Sequence, residues 1–74
     1  MNPRPGMTRL TWLDVDEIAL DLVERYPTQD PMLVKLPDLR KLVAELPSFG
    51  DDPSAASDKT LEAIQNAWYD EFED

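Results

Sequence analysis

Carboxylates are the only side chains in this sequence spaced to act together. Asp14, Glu17, Asp21 and Glu24 follow one another at i, i+3, i+7 and i+10. At ~100° per residue that spacing lays them along one stripe of a helix, facing roughly away from its apolar residues. Asp51 and Asp52 are adjacent, between Gly50 and Pro53. Neighbouring carboxylates in a loop can approach one cation together, and glycine lets the backbone bend to bring them in. Asp70 and Glu71 belong to the C-terminal run Trp68-Tyr69-Asp70-Glu71-Phe72-Glu73-Asp74. Two uses follow. All eight acids could form a docking surface for a basic partner, and Glu17, Asp21, Glu24, Asp51 and Asp52 could hold a cation weakly. Each has a plainer counterpart: a solvated helix face, an ordinary loop of Asp, Gly and Pro, and a tail that keeps the domain in solution.

Composition narrows the chemistry further. There is no cysteine and no histidine among the 74 residues. Thiolate ligation of zinc or a cluster is therefore closed, as is the commonest acid–base group. Any metal must be held by oxygen ligands, which suit hard or borderline cations at exposed sites. No nucleophile–base pair or Gly-rich phosphate loop is visible, so no catalytic residue is assigned and no enzyme is expected. Sixteen acids against seven bases give a formal net charge of −9. A field of that sign repels a phosphate backbone and attracts basic protein surfaces or cations. Arg40-Lys41 is the only adjacent basic pair, so nucleic acid is not an expected partner. No apolar stretch approaches the ~20 residues of a spanning helix, and no signal pattern opens the chain. A cytoplasmic monomer without membrane contact is the expectation.

A chain of this length makes one compact domain, and small domains are marginally stable. Residues 1–9, rich in proline early on, are read as a flexible extension and residues 10–74 as the domain. Val15, Ile18, Ala19, Leu22, Val23 and Tyr26 recur at helical spacing. Asp14 is expected to cap that helix, with Glu17 completing a box, and Tyr26-Pro27 to stop it. Asp30-Pro31 reads as a second start. Leu33-Val34-Lys35-Leu36 is too short to choose between a turn of helix and a strand. Pro37 opens a helix from Asp38 to about Leu46, and a last helix runs from near Ser57 to near Phe72. Trp68 continues the Leu61 and Ile64 stripe into the core, and Trp12 is expected near it. The fold class is thus mostly α, a compact domain of three to four helices. A small bundle and a winged-helix-like arrangement both satisfy the periodicity.

The order of motifs resembles the IscX (YfhJ) family. The resemblance runs from Leu10 to about Phe72 without gaps. It takes in Leu10-Thr11-Trp12-x-Asp14, Glu17-Ile18, Tyr26-Pro27-x-x-Asp30-Pro31 and Asp38-Leu39, then Phe49-x-Asp51-Asp52-Pro53, Leu61-Glu62-Ala63-Ile64 and Trp68-x-Asp70-Glu71. No single piece is specific; their order and spacing together are.

The resemblance implies a winged-helix-like helical domain that works in iron–sulfur cluster assembly. It implies an adaptor that binds the cysteine desulfurase IscS through an acidic face, modulates sulfur transfer, competes with acidic partners such as frataxin, and binds Fe2+ only weakly. No tightly bound cofactor is implied. Asp14, Glu17 and Glu24 would fall on the acidic helix, Asp51 and Asp52 in the acidic loop, and Asp70 and Glu71 at the C-terminal end. A ferrous iron donor or sensor is the alternative. Gly50 stands where many members carry another acid, which removes one possible ligand. Pro37 stands at a position often held by a hydroxyl cap, and Leu36 replaces a common aromatic.

Overall fold

The structure, a computed structural model, describes residues 9–74. The expected extension lies outside the described residues except for Arg9. Helix α1 spans Val15–Arg25 and buries Ile18, Ala19 and Leu22. Asp14 occupies the cap position, but its side chain makes no bond into the helix. Its Oδ2 instead accepts from the Thr11 N–H at 2.8 Å and the Thr11 hydroxyl at 3.4 Å. The Asp14 N–H donates back to the Thr11 carbonyl at 2.9 Å. A tight turn ahead of the helix has thus claimed the carboxylate expected to cap it, because a side chain three residues from a donor can satisfy either geometry.

The middle of the chain resolves the undecided run Leu33–Leu36. A 3₁₀ turn, Pro31–Leu33, is capped by Asp30, whose Oδ1 accepts from the Met32 N–H at 3.0 Å. Val34 and Lys35 are extended, and helix α2 spans Leu36–Ala44. It begins two residues before the expected Asp38, with Pro37 in its first turn, where the missing N–H costs no intrahelical bond. A second 3₁₀ turn covers Pro53–Ala55. Helix α3 spans Asp58–Glu73, and its Ser57 cap accepts from the Thr60 N–H at 3.2 Å.

The core forms where α1 and α2 pack on α3. Ile18, Leu22, Leu39, Val43, Leu61, Ile64 and Trp68 are all fully buried there. The mostly-α expectation holds: there are three α-helices and no strand among the described residues. β-pairing is limited to one parallel bridge, Leu10 with Phe49. In it the Leu10 N–H donates to the Ser48 carbonyl at 2.7 Å and the Gly50 N–H to the Leu10 carbonyl at 2.9 Å. The two tryptophans have different neighbours. Trp68 faces Tyr26 at 6.4 Å, whereas Trp12 meets Phe49 edge to face at 4.7 Å. Trp12 and Trp68 belong to one buried cluster, while the bridge gives Trp12 its own ring partner in the loop after α2.

Two side chains pin irregular segments to helices. The Gln65 amide on α3 donates to the Pro31 and Val34 carbonyls, both at 2.9 Å. The Arg40 guanidinium on α2 donates to the Pro53 and Ala56 carbonyls at 2.8 and 3.1 Å. Half of the only adjacent basic pair is therefore committed to the fold. Replacing Gln65 by Ala strands the part-buried Val34 carbonyl and leaves the Pro31 carbonyl only the Val34 N–H at 3.2 Å, a loss that typically costs ~1–3 kcal/mol. Urea unfolding of Gln65→Ala should show that loss as a lower midpoint with an unchanged slope.

Candidate functional site

The acids of α1 divide into two sets. At ~100° per residue, Asp14 and Asp21 stand ~90–110° to one side of the centre of the buried face, whereas Glu17 and Glu24 stand ~150–170° away, on the outer side. The first pair is half-buried and the second exposed. Both half-buried acids accept hydrogen bonds. Asp21 Oδ2 accepts from the Ser48 hydroxyl at 2.6 Å, as Asp14 accepts from Thr11. One edge of α1 is therefore stitched to the turn before it and to the loop after α2.

That loop uses its own acids in the same way. Asp51 Oδ2 accepts from the Trp12 N–H at 3.3 Å, and its Oδ1 accepts from the Asp52 N–H at 2.7 Å. Asp52 Oδ1 accepts from the Ser54 N–H at 2.9 Å and the Ser54 hydroxyl at 2.8 Å, which caps the second 3₁₀ turn. The Asp52 carbonyl takes the Trp12 indole N–H at 2.6 Å. The Ser54 donors hold the Asp52 carboxyl below its ordinary value, because they stabilise the ionised form. Gly50 serves close approach rather than a bend. A Cβ there would lie 2.5 Å from the Arg9 Cβ, so the cross-loop pair of Arg9 and residue 50 has room for only one side chain.

Of the eight expected site residues, Asp14, Asp21, Asp51 and Asp52 thus carry structural hydrogen bonds within one seam. Glu17 and Glu24 face outward on α1. Asp70 and Glu71 are exposed near the end of α3, and none of the bonds of the seam reaches them. Nearby, the Tyr69 hydroxyl donates to Glu73 Oε2 at 2.9 Å. That bond and the surrounding negative charge raise the phenol above its ordinary value. As for a metal, no group of three acidic side chains among the described residues is arranged to hold an ion.

Sequence reading missed two features of the outer surface. Asp16 and Leu20 share the outward side of α1 with Glu17 and Glu24, and both are exposed. A full helical projection finds them, whereas a search for acids at regular spacing does not. The other is a groove of about 460 Å³ between the segment around Leu33 and the outer side of α2. Val34 and Leu42 line it with Asp38, Lys41 and Glu45. Its charges alternate in sign, so it lacks the single-sign field of α1.

A family model described as iron-sulphur cluster assembly matches residues 10–73. An uncharacterized protein of Pseudomonas aeruginosa is 53% identical over 62 residues, which cover 84% of this chain and 94% of that relative.

The seam has a pH signature. Asp52 ionises more readily folded than its ordinary value of 3.8, so its contribution to stability is complete above that value and disappears as pH falls through the lower folded value. Asp52→Asn keeps an acceptor for Ser54 but cannot titrate. Wild type should therefore be the more stable at about pH 7 and lose that advantage as pH falls from 3.8 through the lower folded value of Asp52. Urea midpoints of both proteins across that range check it.

Proposed function

The chain belongs to the IscX family of iron–sulphur cluster assembly proteins, and from that membership we propose that it acts as a small acidic adaptor docking on the cysteine desulfurase IscS. Its place in cluster assembly comes with the family. The desulfurase as partner, the modulation of sulfur transfer and the cytoplasmic setting are our reading. The observation that carries it is the outward side of α1, where Asp16, Glu17 and Glu24 remain on the surface after Asp14 and Asp21 have been drawn into the seam.

A basic surface near the mouth of the desulfurase active site would attract that face. A domain seated there would obstruct the mobile loop that delivers sulfur and compete with other acidic partners such as frataxin. The adaptor works by occupancy, so it needs no catalytic group of its own. No helix among the described residues is long and apolar enough to cross a membrane. Ferrous iron takes second place in this reading. Carboxylate pairs such as Asp51 and Asp52 would hold it weakly and with poor selectivity, all the more because Asp51 already accepts hydrogen bonds on both oxygens.

The test is binding to the cognate cysteine desulfurase with turnover followed in parallel. Between about 0.05 and 0.2 M salt the affinity should fall about tenfold, because the attracting charges are exposed and screened over a Debye length. Turnover should change as the complex saturates. Glu17→Lys with Glu24→Lys should abolish most of the salt dependence along with the binding. Affinity indifferent to salt, or untouched by the double charge reversal, defeats the adaptor reading.

A further inference from the structure

The outer side of α1 is not purely acidic. Leu20 lies on it and is 45% exposed, and Leu13, one residue before the cap, is 91% exposed. Leu20 stands ~150° from the centre of the buried face, so it points away from the core. Asp16 and Glu17 lie one turn before it and Glu24 one turn after, which places an apolar side chain inside a ring of carboxylates. Leu13 lies outside the helix, in the turn just before its cap, and adds a second exposed apolar side chain near the start of α1. Neither side chain belongs to the core or packs against it. The apolar groups of α1 that serve the core, Ile18, Ala19 and Leu22, are on the other side.

We propose that Leu20, supported by Leu13, is the apolar anchor of the acidic docking face, and that it seats in a hydrophobic socket rimmed by Lys or Arg on the partner protein. The occupant follows from charge complementarity. A ring of single sign around an apolar centre matches a surface of opposite sign around an apolar depression, and it repels nucleic acid and anionic lipid. The arrangement divides the work of binding. The acids set the rate of encounter and its salt dependence, while a leucine desolvated at the centre sets how long the complex lasts.

This inference rests on the desulfurase reading, and the experiment separates the two. Association and dissociation rates with the cognate desulfurase would be measured across salt for wild type, Leu20→Ser, Leu13→Ser/Leu20→Ser and Glu24→Lys. Both leucines are exposed, so far-UV circular dichroism and urea midpoints of their variants should match wild type. Leu20→Ser should weaken binding about tenfold at every salt concentration, through faster dissociation and with the salt slope unchanged. The double variant should weaken it further. Glu24→Lys should instead slow association and flatten the slope. Leucine variants that bind like wild type while Glu24→Lys does not would overturn the anchor and leave the adaptor standing. Wild type that fails to bind at low salt would remove both.

Discussion

Trp12 ties the segment before α1 to the loop after α2. Its ring packs on Phe49, its indole N–H reaches the Asp52 carbonyl at 2.6 Å, and its backbone N–H meets the Asp51 carboxylate. The Leu10–Phe49 bridge lies beside it. In a domain this small each buried aromatic is a large share of the core, and the Trp12 indole N–H has an acceptor where that of Trp68 has none. Satisfying Trp12 therefore fixes where the loop after α2 lies, and with it Ser48, which bonds to Asp21. The loop so placed holds α1 through Asp21, while Asp14 is held by Thr11 in the turn before the helix.

Periodicity carried the sequence reading wherever a segment was both long and amphipathic. Helices α1 and α3 were legible for that reason, since Ile18 and Leu22, or Leu61, Ile64 and Trp68, repeat at the helical interval and are buried as the interval demands. The start of α2 was displaced because Leu36-Pro37 suits the first turn of a helix as well as the residues before one. What no pattern discloses is a polar side chain reaching across the chain to a backbone carbonyl. Gln65, Arg40 and Trp12 each do so over 13 to 40 residues. Such bonds have no period. Asp14 shows the local form of the same difficulty, since a helix cap and an Asp–Thr turn share a sequence signature and geometry alone selects the turn.

The candidate site was legible as a list of acids but not as a division of labour. Like charges along a helix oppose its stability by a few tenths of a kcal/mol per pair, so a run of carboxylates invites a functional explanation. The structure supplies a structural one for half of them. Asp14, Asp21, Asp51 and Asp52 act as hydrogen-bond acceptors, a task best done ionised, and Asp52 titrates low because of it. Net charge consequently overstates the surface that could greet a partner.

That subtraction sharpens the surface that remains. Charge spread over a whole domain accelerates encounter with any body of opposite sign but defines no register, because the field varies slowly over the distance of one residue. Three carboxylates gathered about one exposed leucine on the outer side of a rigid helix vary on the scale of a side chain. Packing behind them against α3 fixes their spacing before any partner arrives, so little conformational freedom is lost on contact. The residues that look redundant in a count of acids are those that hold this helix in place, and the docking face is precise because the seam beside it is full.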